Sequence, residues 1–161
     1  MLSYSAEETR ELGARLSEEL CAGDVILLEG PLGAGKSELA RGIARGLGVR
    51  ETVTSPSFTI LNAYTSGRIP FYHFDWYRLE SEEELYELGL EEYLGGDGVA
   101  VVEWPGRCPE ALPGDFLMIE VIPENDQCRS FRIHRHGTFR LLKWEKVEES
   151  GHDTDATAPK E

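Results

Sequence analysis

The sequence has few cysteines and no long apolar segment, and both shortages narrow what the protein can be. Its three cysteines, Cys21, Cys108 and Cys128, are widely spaced and form no CxxC pair, which argues against a disulfide framework or a thiolate metal site. No apolar run approaches membrane-spanning length, and the N-terminus lacks the charged-then-apolar pattern of a secretion signal. We therefore expect a protein of the reducing cytoplasm with no membrane partner.

Basic residues are also scarce. Lysine and arginine number 16 against 30 aspartates and glutamates, which gives a formal net charge of −14 at pH 7. Surfaces that follow a phosphate backbone are basic, so this balance argues against a broad nucleic-acid-binding face, and any RNA should be held by a partner. The acidic excess is strongest in residues 80–97, which contain no lysine or arginine. That segment is either a solvated face or a docking face for a basic partner.

The length and composition predict one globular domain. A chain of 161 residues with 40% hydrophobic residues can bury a substantial core. We assign this domain to residues 1–146. Residues 147–161 are polar and acidic, which is typical of a disordered tail.

The clearest motif is the segment GPLGAGKS at residues 30–37, which matches the phosphate-binding pattern GxxxxGK[ST]. An apolar run at 25–29 predicts a buried strand before it, and apolar residues at helical spacing to Leu47 predict a helix after it. Glycines let backbone N–H groups converge on a phosphate, Lys36 would reach the β- and γ-phosphates, and Ser37 would bind Mg²⁺. The segment and its flanks predict a nucleoside triphosphate site.

The rest of the pattern alternates helices and strands. Capping boxes at residues 5–8 and 81–84 predict two helix starts, and Gly89 should end the second helix. Further strands are predicted at residues 58–64, 69–74, 99–102 and 116–122, with a hairpin formed by 130–134 and 138–144 around His136-Gly137.

Two carboxylates compete for a role beside the phosphate loop. Asp75 and Glu103 each follow an apolar run, and a carboxylate at the end of a buried parallel strand can hold Mg²⁺ directly or through water. Either could instead cap the turn that follows. Residues 52–57 are likewise open to two interpretations, a connecting loop or a switch loop near the γ-phosphate.

In these stretches the chain resembles the TsaE family, also called YjeE, of small P-loop ATPases in bacterial tRNA threonylcarbamoyladenosine synthesis. The phosphate loop is shared by many families, whereas YHFDWYRL at 72–79 and EWP at 103–105 are far more specific. The matching residues run in order from Ser5 to Pro105, the following hairpin region matches loosely, and the tail does not match.

The resemblance implies a fold, an activity and partners. The fold would be a P-loop NTPase-like mixed α/β sheet flanked by helices, with antiparallel strands near the C-terminus. The activity would be Mg²⁺-dependent ATP hydrolysis assisting TsaB- and TsaD-like proteins, of which TsaD transfers a threonylcarbamoyl group to the tRNA adenosine following the anticodon. The chain would meet tRNA only through that complex.

The resemblance also assigns site residues. Asp75 and Lys36 would serve hydrolysis, while Ser37 and Glu103 would hold Mg²⁺. The nucleotide contacts would be Gly33, Ala34, Gly35, Lys36, Ser37, Glu38, Thr54, Ser55, Trp104, Ala6 and Arg129.

Two other functions fit the same loop. One is a small-molecule or nucleotide kinase whose lid would carry Arg129, Arg132, Arg135 and Arg140, although the sequence has no motif for an acceptor site. The other is an assembly module that is switched by bound nucleotide and for which hydrolysis is incidental.

Overall fold

The structure is a computed structural model and describes residues 1–148, so the acidic tail predicted for 147–161 lies almost wholly outside the described residues. The helices are α1 (Ala6–Ser17), α2 (Lys36–Gly46) and α3 (Glu83–Glu87). The strands are β1 (Leu2–Ser3), β2 (Val25–Glu29), β3 (Leu61–Tyr64), β4 (Phe71–Asp75), β5 (Val99–Glu103), β6 (Phe116–Pro123) and β7 (Arg129–His136).

The strands form one seven-stranded sheet in the order β1-β7-β6-β2-β5-β4-β3. Its centre is parallel, because β2 pairs in parallel with both β5 and β6, and β5 pairs in parallel with β4. Antiparallel strands complete both edges, β3 on one side and β7 with β1 on the other. The predicted mixed α/β fold is therefore confirmed.

Two apolar layers cover the two faces of the sheet. Alternation along β5 sends Val99 and Val101 to one cluster and Ala100 and Val102 to the other. The first cluster contains the leucines of α1 and α2, so these helices pack on one face. The second lies under α3. Strand β2 contributes to both layers, as expected for a central parallel strand.

The first predicted capping box is confirmed and the second is wrong. Ser5 Oγ accepts a hydrogen bond of 3.0 Å from the Glu8 N–H and opens α1. In contrast, α3 begins at Glu83, and its capping residue Glu82 makes no side-chain cap. The Glu84 carboxylate accepts from the Glu80 N–H, as the Glu8 carboxylate accepts from the Tyr4 N–H, so the second box lacks only the serine cap.

The predicted C-terminal hairpin is misplaced by one strand. The hairpin pairs β6 with β7, and residues 138–144 form no strand. Gly137, at φ 68°, ends β7, and the Thr138 N–H donates to Asp115 Oδ1. Trp144 then buries its ring and donates from Nε1 to the Leu12 carbonyl of α1. Leu142 and Trp144 of this segment therefore pack in the same apolar cluster as the leucines of α1.

The strand predicted at 58–64 is also shorter than expected. It begins at Leu61, because residues 57–59 turn and Ile60 adopts a φ of 69°, which is incompatible with an extended strand. Within the described residues, no helix has the length and apolar character that crossing a bilayer requires.

Candidate nucleotide-binding site

The predicted site residues come together at the carboxyl ends of the parallel strands. The loop 30–35 leaves β2 and enters α2, while β4 and β5 end beside it in register, with Asp75 opposite Glu103. Ligands of open α/β sheets bind at this edge, since the loops there converge and helix N-termini point toward it.

The loop conformation depends on glycine. Gly35 adopts a φ of 106° directly before α2, a value that residues with a side chain rarely tolerate. A Cβ on Gly30, at φ 153°, would lie 2.5 Å from the carbonyl oxygen of Val121 on β6. The loop therefore needs glycine at both ends, once for backbone conformation and once for close contact with the sheet.

Lys36 lies on the floor of the site and is only 5% exposed. Its Nζ donates to the Gly30 carbonyl at 2.6 Å and lies 3.6 Å from the centre of the Trp104 ring. Burial lowers the pKa of Lys36, and the nearby carboxylates of Glu103 and Asp75 oppose that effect. The cation is thus held in a partly desolvated position where a phosphate would be a strong partner.

Glu103 links β5 to the start of α2. Its Oε1 accepts from the Ser37 hydroxyl at 3.4 Å, and its Oε2 lies 2.7 Å from Nε2 of His73. Among the described residues, no cluster of three or more His, Cys, Asp or Glu side chains could hold a metal ion alone. One hydroxyl and one carboxylate fit Mg²⁺, which takes oxygen ligands and completes its shell with phosphates and water.

Asp75 has a different set of partners. Its Oδ1 accepts from the Tyr77 N–H at 2.9 Å, and its Oδ2 accepts from the Ser55 hydroxyl at 3.4 Å. The Ser55 hydroxyl oxygen in turn lies 3.1 Å from the Ser57 hydroxyl oxygen. The two neighbouring carboxylates are therefore held separately, Glu103 toward α2 and Asp75 toward the loop 52–57.

A cavity of about 310 Å³ contains most of the predicted site. It is lined by Gly33, Ala34, Gly35, Lys36, Ser37, Glu38, Ser55, Asp75, Glu103 and Trp104, together with Leu32, Ser57 and Tyr77. Thr54 is not among the lining residues. Its N–H donates to the Tyr64 hydroxyl and its carbonyl accepts from Asn62, so its backbone anchors the loop to β3.

A second cavity of about 480 Å³ adjoins the first at Gly33, Gly35 and Glu38, and both Ala6 and Arg129 line it. Arg129 Nε donates to the Ala34 carbonyl at 2.7 Å, which ties β7 to the phosphate loop. The Glu38 carboxylate lies between the guanidinium groups of Arg10 and Arg41. Ala6 and Arg129, which are distant from the phosphate loop in sequence, therefore lie beside it in the second cavity.

His73 and Tyr77 belong to the site but were not predicted. A signal for His73 was present, because alternation along β4 puts residues 73 and 75 on one face. The Tyr77 ring packs against the Trp104 ring in a tilted arrangement, with ring centres 5.0 Å apart. That contact depends on Trp104 adopting a φ of 57°, which no sequence pattern indicates.

Strand order, loop conformation and paired carboxylates place the chain in the class of P-loop nucleotide-binding proteins. The family model described as "Threonylcarbamoyl adenosine biosynthesis protein TsaE" matches residues 3–131. The chain therefore belongs to the TsaE family.

Individual relatives agree with this assignment. The chain is 44% identical to the tRNA threonylcarbamoyladenosine biosynthesis protein TsaE of Bacillus subtilis over 151 residues, 94% of this chain and 93% of that protein. It is 51% identical to TsaE of a Nostoc species over 107 residues, 64% and 65% of the two chains. The crystal structure of Bacillus subtilis YdiB superposes with a TM-score of 0.75 at 35% identity, covering 93% of this chain and 90% of that one.

Proposed function

We propose that this chain is a Mg²⁺-dependent ATPase that assists TsaB- and TsaD-like proteins in threonylcarbamoylation of the tRNA adenosine following the anticodon, in the cytoplasm. The observation that carries the ATPase part is the convergence of Lys36, Ser37, Asp75 and Glu103 on one cavity. The family assignment supports the pathway.

The four residues have distinct roles in this proposal. Lys36 would exchange its contacts with Gly30 and Trp104 for the β- and γ-phosphates. Ser37 and Glu103 would hold Mg²⁺, which neutralises phosphate charge when bound. Asp75, 2.9 Å from the Tyr77 N–H and beside Ser55, would orient the attacking water.

The nucleoside would occupy the adjoining cavity, lined by Ala6 and Arg129. Its volume of about 480 Å³ suits a base and ribose, and it meets the phosphate cavity at the glycines of the loop. Its polar lining includes Glu38 and Gln127, which could recognise ribose or base edges.

Partner dependence follows from the charges at the phosphate cavity. Among the described residues that line it, Lys36 is the only cation, and no arginine is present. P-loop enzymes without an arginine at the γ-phosphate hydrolyse slowly until a partner supplies that charge. We therefore expect slow hydrolysis by the isolated chain and stimulation in the complex.

The kinase alternative is less well supported. Two of the four arginines expected in a lid are engaged elsewhere, Arg135 with Glu145 at 3.3 Å and Arg140 with Asp24 at 2.8 Å. Arg129 and Arg132 lie on β7, within the sheet. The nucleotide-switched assembly module keeps the same site and differs only in whether hydrolysis matters.

Reconstituted tRNA modification tests the proposal. TsaB- and TsaD-like proteins, unmodified tRNA and the activated threonylcarbamoyl donor are combined with Mg²⁺ and ATP, with this chain or with its Lys36→Met variant. The proposal predicts repeated modification with the parent and little with the variant. Equal modification without the chain, or phosphorylation of a small acceptor by the chain alone, would contradict it. Full support from ATP that cannot be hydrolysed would favour the assembly module.

A further inference from the structure

His73 is a buried histidine that the proposed reaction does not use. It lies on β4 and is only 1% exposed. Its Nε2 is 2.7 Å from Oε2 of Glu103, whereas its Nδ1 is buried without a hydrogen-bond partner among the described residues. Burying a polar ring costs free energy unless hydrogen bonds compensate for the lost water, and His73 has only the contact with Glu103 to do so.

The tautomer of His73 follows from its partner. An ionised carboxylate only accepts hydrogen bonds, so Nε2 must carry the hydrogen that it gives to Glu103. Nδ1 has no partner among the described residues, so the contact through Nε2 is the one that fixes the ring. His73 is therefore oriented as a donor to Glu103.

The contact fixes which oxygen of Glu103 is free. The side chain of Glu103 is 4% exposed, and Oε2 is occupied by His73. Its other oxygen, Oε1, is the one that faces the Ser37 hydroxyl at 3.4 Å. Without His73 the carboxylate could rotate, and neither oxygen would be held toward α2.

The neighbouring carboxylate makes this restraint necessary. Asp75 and Glu103 are directly opposite in the β4–β5 register, where two like charges repel. Asp75 is held toward the loop 52–57 by Tyr77 and Ser55. The hydrogen bond from His73 orients Glu103 in the same way, so the two carboxylates point in different directions.

We propose that His73 is a positioning residue that sets the Mg²⁺ affinity of this site by holding the Glu103 carboxylate with Oε1 toward Ser37. The inference rests on the proposed function, since it assigns the ligand that Glu103 would bind. Outer hydrogen bonds to metal-binding carboxylates act in this way, and their loss lowers metal affinity by about 10- to 100-fold.

The metal-free parent protein gives the first test. A long-range ¹H–¹⁵N spectrum reports which nitrogen of His73 carries hydrogen, with Glu103→Gln identifying the affected ring. We expect hydrogen on Nε2. Hydrogen on Nδ1 alone would overturn the proposal, because such a ring cannot donate to Glu103. The result does not depend on whether the chain hydrolyses ATP.

Two matched amide variants give the second test. In His73→Gln the side-chain nitrogen reaches as far as Nε2 of histidine, whereas in His73→Asn it reaches only as far as Nδ1. ATP binding is measured by calorimetry across a Mg²⁺ series and again in EDTA. We expect the Mg²⁺ requirement to rise about tenfold or more in the Asn variant and to stay near the parent in the Gln variant. Binding in EDTA should be equal in all three.

The contrary outcomes are distinct. A folded Asn variant with the parent's Mg²⁺ requirement overturns the proposal, and so does a loss that is equally large in EDTA. If the Asn variant does not fold, a raised Mg²⁺ requirement in the Gln variant overturns it. In a Glu103→Gln background, His73→Asn should add no further loss. A parent without Mg²⁺-dependent ATP binding would instead refute the proposed function, leaving the tautomer result intact.

Discussion

At the scale of single residues, the site keeps a lysine where folding alone would favour an apolar side chain. Burial lowers the pKa of Lys36, which means that its protonated form is less favourable in the folded chain than in the unfolded chain. The Lys36 ammonium group is therefore incompletely compensated in the folded chain, and phosphate oxygens would supply the missing partners. A group of this kind is a common reason for functional sites to lower stability.

The first prediction concerns that cost. Lys36→Met keeps the side-chain stem but removes the charge, so at pH 7 it should raise the free energy of unfolding. The sign follows because the folded pKa lies below the unfolded value of 10.5, so the penalty is complete below the folded pKa. The gain should shrink as the pH rises toward 10.5. Urea denaturation of parent and variant measures it, with exposed Lys143→Met as the control. A variant less stable than the parent would show that the contacts with Gly30 and Trp104 outweigh the desolvation.

The second prediction separates the two carboxylates. Glu103→Ala should weaken ATP binding in Mg²⁺ but not in EDTA, because Glu103 faces Ser37. Asp75→Ala should leave binding intact and slow hydrolysis by about a hundredfold, a typical loss for a residue that positions the nucleophile. Calorimetry and single-turnover hydrolysis distinguish them. Reversed effects would assign the Mg²⁺ role to β4.

Some residues of the candidate site could be predicted because they belong to local sequence patterns. Lys36, Ser37, Asp75 and Glu103 each follow a glycine-rich loop or end a buried run, and the structure brings all four to one cavity. Thr54 lies outside that cavity because hydrogen bonds to Tyr64 and Asn62 turn its backbone toward β3. Such contacts between distant segments have no local pattern.

At the scale of the elements, the close packing of α1 on α2 forms one wall of the cavity that Ala6 and Arg129 line. A Cβ on Gly13 would lie 2.5 Å from the Leu39 carbonyl oxygen, and one on Gly42 would overlap the Arg10 carbonyl. Two glycines, one on each helix, let the backbones approach. This contact also brings Arg10 to Glu38 beside the loop.

The third prediction tests that contact. Gly42→Ala should lower the free energy of unfolding by about 1–3 kcal/mol, because an added methyl in a tight contact forces the helices apart. It should also weaken ATP binding, since α1 carries Ala6. Gly114→Ala is the matched control, because a Cβ there meets nothing within 4 Å. Thermal or urea denaturation measures the difference. Equal stability of the two variants would mean that the helices separate at no cost.

Two elements were predicted wrongly, for different reasons. The sequence pattern of 138–144 allows a strand, but Trp144 gains more by covering α1 and bonding Leu12. The box at 81–84 fails because α3 begins at Glu83 with Glu82 as its capping residue, so Ser81 lies one residue too early to cap the helix. A local pattern is compatible with more than one structure, and tertiary packing determines which structure forms.

At the scale of the whole molecule, the net charge is −14, and the segment 80–97 carries eight acidic residues with no lysine or arginine. The segment 80–97 begins five residues after Asp75, the last residue of β4. Within it, exposed Glu83 and Glu87 lie beside exposed Tyr86 and Leu88. A basic partner docking there would be steered electrostatically and would lie close to the phosphate cavity.

The fourth prediction follows from that surface. Stimulation of ATP hydrolysis by TsaB- and TsaD-like partners should decline as salt rises, because screening weakens attraction between exposed charges. Glu83→Lys with Glu87→Lys should reduce it strongly. Glu11→Lys with Glu18→Lys makes the same charge change on α1 and at its C-terminal cap, on the other face of the sheet, and should reduce the stimulation little. Equal effects of the two pairs would mean that net charge, and not the face carrying α3, attracts the partner.

The most direct measurement of the central claim is calorimetric titration of the parent and Lys36→Met with ATP, in Mg²⁺ and in EDTA. If the loop 30–37 is the nucleotide site, the parent binds one ATP per chain, more tightly with Mg²⁺. The variant should lose about a hundredfold or more in affinity, because charge-assisted contacts to two phosphates disappear. Lys143→Met should bind like the parent. Equal affinity of the parent and a folded Lys36→Met variant would contradict the account, because ATP would then bind somewhere else.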